Sequence, residues 1–139
     1  MLDTNVLCEL MRASPERNVI AWADAQPRMD LSTTAICAAR LLYGVARLPV
    51  GRRQRELQAA VERMLGEQLA GRGHPLDLRA AAEYARIVGD RDRAGRPIGA
   101  ADAQIAAICR SLGARPATRD SSDFAAAGIE LTDPWQLPA

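Results

Sequence analysis

Short apolar runs alternate with helical patterns along the whole chain, and this alternation constrains its fold more than any other feature. Met1-Leu2 runs into Asp3, and residues 29–32, 74–77, 115–118 and 129–132 read as further short strands. Helical patterns fill the intervals: 5–12, about 15–25 with Ser14 as N-cap and Pro15 at the first helical position, 35–47 opened by Thr33 or Thr34, 52–69 as the longest, 78–94 and 100–112. The expected inward stripes are Val19, Ile20, Trp22 and Ala23; Ile36, Ala39, Leu42 and Tyr43; Leu57, Val61, Met64, Leu65 and Leu69; and Ala81, Tyr84, Ala85 and Val88. Strand–helix alternation predicts an α/β fold, a three-layer α/β/α sandwich around a mostly parallel sheet. At 139 residues it predicts a single domain, 1–139.

Residues 100–112 are apolar on nearly every side, so this helix is expected at the centre, with Gly113 as its C-cap. Pro116 fits a strand start or a sheet edge. No apolar run approaches the ~20 residues of a membrane span, and no basic-then-apolar leader opens the chain. Cys8, Cys37 and Cys109 have no metal-type spacing and lie in apolar contexts. They read as buried free thiols of a cytoplasmic, reducing compartment.

Ligands of open α/β sheets bind beyond the carboxyl ends of strands. Four acids stand at such ends or at helix starts. Asp3 follows the first strand, with Thr4 placed to N-cap the next helix; both are equally at home as turn residues. Asp102 lies in the first turn of the apolar helix, where the helix dipole favours an acid. Asp120 and Asp123 lie just past the strand ending at Thr118. In a parallel sheet these positions open at one edge. Clustered carboxylates stay ionised together only around a cation. An all-oxygen set without His or Cys indicates Mg²⁺ or Mn²⁺. Two such ions can activate a water and stabilise the attacking and leaving oxygens of a phosphodiester.

Competing chemistries lack their residues. Position 5 is Asn, not the second Asp of an aspartyl-nucleophile phosphatase, and neither GxGxxG nor GxxxxGK[ST] is present. The single His74 has no ligand partner in sequence, and Ser121 and Ser122 have no base arrangement. A formal net charge of +1 makes no electrostatic case for nucleic acid, although all 18 basic residues are Arg, the side chain suited to bidentate phosphate contacts.

Leu2-Asp3-Thr4-Asn5, Tyr43-Gly44-Val45-Ala46-Arg47-Leu48-Pro49, Gly95-Arg96-Pro97-Ile98, Ala101-Asp102-Ala103-Gln104-Ile105-Ala106, Ala117-Thr118-Arg119-Asp120 and Asp133-Pro134-Trp135 occur in this order. Together they resemble the PIN-domain toxins of the VapC/FitB type over nearly the whole chain. The resemblance implies an RNA-cleaving, Mg²⁺- or Mn²⁺-dependent endoribonuclease. It also implies a homodimer held by a small antitoxin with a DNA-binding half. The metal-binding acids map onto Asp3, Asp102 and Asp120, with Asp123 as a further acid and Thr118 as the accompanying hydroxyl. Arg119, and with it Arg96 or Arg47, is a candidate phosphate contact.

One position departs from the family pattern. Where an Ala-Glu-Leu-x-Tyr-Gly run is usual, this chain has Ala39-Arg40-Leu41-Leu42-Tyr43-Gly44. A positive charge replaces a negative one, worth about 4 kcal/mol at ~4 Å in an effective dielectric of ~20. Arg40 either pairs with a carboxylate and obstructs the metal or turns out to solvent and leaves three aspartates to hold it. The first alternative implies a catalytically weak domain that acts mainly by binding its antitoxin.

Overall fold

The computed structural model describes residues 1–138. Among them six α-helices surround a parallel sheet, the α/β architecture expected from the alternation. They are α1 (Thr4–Leu10), α2 (Arg17–Asp24), α3 (Ala35–Ala46), α4 (Arg52–Arg63), α5 (Leu78–Arg93) and α6 (Ala100–Leu112). The extended segments are short because regular ladders form only where backbones pair. β1 (Thr33–Thr34) runs parallel to β2 (Gly73–His74). Leu2 and Ala117, and Ala117 and Thr132, form single parallel bridges. The Leu2 amide donates to Ser32 O at 2.6 Å and the Thr33 hydroxyl donates to Leu2 O at 2.8 Å, which joins the two halves. Across the sheet the segments therefore follow the order third, second, first, fourth, fifth in sequence. The order reverses between Leu2 and Ala117, and a crevice at such a reversal is where doubly wound sheets place their ligands.

α6 begins and ends where glycine punctuation predicts, with Gly113 in the left-handed region at φ 62°. Ala103 and Ile105 through Cys109 are buried, so this helix is the central one. Its largest helical neighbour is α5. Pro116 precedes a residue paired on both sides, so it marks a strand start and not an edge.

Several sequence expectations are corrected. α2 starts at Arg17 with Glu16 as N-cap, not at Pro15, because Glu9 Oε1 accepts the Glu16 amide at 2.8 Å and holds residues 11–16 as a connection. Residues 28–30 form a 3₁₀ turn, closed by Asp30 N donating to Pro27 O, so β1 begins only at Thr33. The 52–69 pattern ends as α-helix at Arg63 and continues as a π-helical turn, Met64–Gln68; α5, at 16 residues, is the longest helix. The buried faces of two helices are rotated from the expected stripes. α3 buries Cys37, Leu41 and Val45 and exposes Leu42 and Tyr43, while α5 buries Ala80, Ile87 and Arg91. Of the three thiols, Cys37 and Cys109 are buried but Cys8 is exposed. No helix among the described residues is long and apolar enough to cross a membrane.

Candidate functional site

Asp3 ends the central segment and is itself the N-cap of α1: its Oδ1 accepts the Thr4 amide at 2.8 Å. The cap expected of Thr4 thus belongs to the residue before it, whose extended backbone (ψ 165°) aims the carboxylate back at the first turn. Asp3 is only 4% exposed. Its second oxygen accepts the Thr118 hydroxyl at 2.8 Å. The Cys37 thiol lies 3.6 Å from Oδ1. Burial first, and the Asp3 charge with it, pushes the Cys37 pKa up, so the thiol stays protonated and able to donate.

Thr118 is the hub of this group and is fully buried. Its hydroxyl donates to Asp3 and accepts from Asn5 Nδ2 at 3.0 Å and from the Asp120 amide at 3.1 Å. One donor and two acceptor positions are the whole capacity of a hydroxyl, so Thr118 is saturated. Asn5 Nδ2 also donates to Asp120 Oδ2 at 3.0 Å. Asp3, Asn5, Thr118 and Asp120 are therefore one connected set, bridging the two strand ends between which the sheet order reverses. Asn5 is the member that the sequence reading left out. Its signal was an amide two residues beyond a strand-end acid, in the first turn of a helix.

Asp102 is held differently. α3 packs on α6, and a single contact of 3.2 Å joins Arg40 Nη2 to Asp102 Oδ1. The two side chains are 39% and 23% exposed, so solvent screens the pair and its net contribution to stability is about 0–1 kcal/mol. Cys37 and Arg40, three residues apart, share one face of α3. That face touches Asp3 through Cys37 and Asp102 through Arg40. Of the two alternatives for Arg40, pairing with a carboxylate, that of Asp102, is the observed one.

Asp123 is exposed and contributes its amide to a turn, donating to Asp120 O at 3.1 Å. Arg119 is exposed and its guanidinium stacks 5.0 Å from the centre of the Trp135 ring. Arg47 lies 5.8 Å from the Tyr43 ring centre. The structure thus brings Asp3, Thr118 and Asp120 together and leaves Asp102 and Asp123 outside their hydrogen-bonded set. No group of three or more His, Cys, Asp or Glu side chains forms a metal-holding cluster among the described residues.

The donor chemistry nonetheless suits a hard divalent cation. Thr4 Oγ1 and Asn5 Oδ1 are buried without a hydrogen-bond partner. Unsatisfied buried acceptors call for a water or an ion, and all donors in the set are oxygen. A separate cavity of ≈ 790 Å³ opens beside Met1 and Arg115, at the opposite end of the central strands, and contains none of these residues.

Residues 1–130 match the PIN domain family. The chain is 43% identical over 136 residues to the VapC ribonuclease Y4jK of Sinorhizobium fredii, covering 98% of this chain and 97% of that protein. It is 38% identical over 135 residues to toxin FitB of Neisseria gonorrhoeae, covering 97% of each. A solved structure of FitAB bound to the IR36 DNA fragment superposes with a TM-score of 0.90 at 37% identity, over 99% of this chain and 96% of that one.

Proposed function

The chain belongs to the PIN-domain family, and on that premise we propose that it is the RNA-cleaving toxin of a toxin–antitoxin pair. The observation that carries this reading is the connected set Asp3–Asn5–Thr118–Asp120 at the sheet reversal, in a chain similar over nearly its whole length to a VapC ribonuclease. Asp3, Asp102 and Asp120 would hold Mg²⁺ or Mn²⁺, with Asp123 a further acid of the loop. Such a cation, when bound, supplies Lewis acidity at the scissile phosphate and lowers the pKa of a water.

The protein's own part is to orient oxygen donors. Thr118, by donating to Asp3 Oδ2, fixes the rotation of that carboxylate. Asn5 ties Asp120 to the same hydroxyl and keeps a buried carbonyl oxygen without a hydrogen-bond partner. Asp102 supplies the charge on the α6 side once its guanidinium partner moves. Hydrolysis on this plan leaves a 5′-phosphate and a 3′-hydroxyl. A small antitoxin with a DNA-binding half is the proposed partner, in keeping with the FitAB–DNA complex, and a homodimer the proposed assembly.

The Arg40–Asp102 ion pair favours a second reading. With one acid neutralised, the domain would be a weak nuclease that serves mainly to bind its antitoxin. One assay separates the two. Antitoxin-free protein is incubated with single-stranded and structured RNA and Mn²⁺, beside Asp3→Asn, Asp102→Asn and Arg40→Glu. Cleavage that disappears in both aspartate variants supports the toxin. Cleavage that survives Asp102→Asn removes that residue from the site. Cleavage seen only in Arg40→Glu supports the binding module.

A further inference from the structure

We propose that Arg40 is an exchangeable counter-ion that couples RNA binding to metal binding: an RNA phosphate takes its guanidinium from Asp102, and Asp102 is thereby released to a divalent cation. This inference rests on the ribonuclease reading and deepens it. Asp102 is the sole hydrogen-bond partner of the Arg40 guanidinium among the described residues, through one nitrogen at 3.2 Å. A guanidinium has five N–H donors in a planar fork, so most of its capacity is unused. The side chain is 39% exposed, and the open donors can meet a ligand from solvent. A phosphate can engage the fork through two parallel hydrogen bonds, a stronger arrangement than the single contact to Asp102.

The position on α3 makes the exchange consequential. Through Cys37 and Arg40, three residues apart on α3, one helix face touches both Asp3 and Asp102, so on the ribonuclease reading the guanidinium lies one helical turn from the residue that contacts Asp3. With no RNA present, Arg40 cancels the Asp102 charge and disfavours a cation there. With a phosphate on Arg40, Asp102 would be left as a carboxylate without its cationic partner, free to take a cation. Metal and RNA then strengthen each other's binding, and linkage requires the two effects to be equal. The ion pair would hold the free toxin in a low-affinity state for metal and confine full assembly of the site to the RNA-bound protein.

The test measures Mn²⁺ affinity by calorimetry on the full chain, with and without a single-stranded phosphorothioate RNA that resists cleavage. Wild type, Arg40→Gln and Asp102→Asn are compared. Wild type should bind Mn²⁺ about tenfold more tightly with the oligonucleotide, and bind the oligonucleotide about tenfold more tightly with Mn²⁺, a typical coupling. Arg40→Gln should bind Mn²⁺ more tightly than wild type when RNA is absent and lose most of the coupling. Asp102→Asn should bind Mn²⁺ weakly in both conditions. The proposal is overturned if Arg40→Gln and wild type bind Mn²⁺ alike without RNA, or if the coupling survives in Arg40→Gln. In those cases RNA cleavage that depends on Asp3 leaves the ribonuclease reading standing. Absence of Mn²⁺ binding in every protein and condition would remove the metal site and the proposal together.

Discussion

The two sides of the candidate site hold their acids in opposite ways. Asp3 is buried and fixed by a backbone amide and the Thr118 hydroxyl, which Asn5 and the Asp120 amide also engage. Asp102, on α6, is partly exposed and meets one nitrogen of a partly exposed Arg40. The first arrangement is neutral-donor chemistry inside the protein, where each unmade hydrogen bond costs the full desolvation of its group. The second is a screened ion pair that contributes little to stability and can be exchanged. A carboxylate is thus a structural member at one strand end and half of a screened ion pair on the neighbouring helix.

The contrast breaks most visibly at Asp3. Asp3→Ala removes the α1 cap and the acceptor of Thr118, and is expected to lower unfolding free energy by about 3 kcal/mol in urea titrations. A loss under about 1 kcal/mol would mean that the buried set is not structural. Thr118→Val keeps the shape but strips the hub, with an expected loss of about 1–3 kcal/mol. It should disorder the Asp120 amide in hydrogen-exchange measurements.

Acid gives a smaller effect through a neighbouring carboxylate. Glu9 joins the end of α1 to the start of α2, and the Glu16 amide, with Arg12, holds its pKa below the usual value in the folded chain. Its contribution to stability is therefore present above the unfolded-state pKa and is lost as pH falls through the lower, folded one. Glu9→Gln should flatten the acid limb of a stability–pH curve below about pH 4.5; an unchanged limb would place the acid sensitivity elsewhere. The smallest stability effects belong to the exchangeable side. Arg40→Gln and Asp102→Asn are each expected to shift unfolding free energy by less than about 1 kcal/mol, while on the proposed function Asp102→Asn is expected to abolish RNA cleavage. A large stability loss in either would erase the distinction between the two sides.

Legibility in the sequence followed the range of the interactions involved. α6 could be read to the residue because its start and its Gly113 cap are local, and a helix apolar all round has few alternatives to a central place. The strand-end acids could be read because alternation implies a parallel sheet, and a parallel sheet puts Asp3 and Asp120 at one edge. The start of α2 could not, since a side chain seven residues upstream captures the Glu16 amide. The inward faces of α3 and α5 were misread by about one position, because Ala is compatible with either side of a helix and the packing partner decides. Asn5 was passed over because its role exists only through Thr118 and Asp120, 113 and 115 residues away.

What the sequence determined by itself was the class of fold and the places of the acids at strand ends and helix starts. Both follow from short-range order: strand-like runs between helices, and acids where those runs end. The family resemblance carried by ordered short motifs rests on the same local information. Tertiary structure alone decided how each acid is held. Burial and cross-strand hydrogen bonds made Asp3 and Thr118 a fixed pair, and the packing of α3 on α6 selected one of two open states for Arg40. Whether an Arg turns to water or to a carboxylate depends on what another helix presents within reach, and no pattern along a single chain encodes that distance.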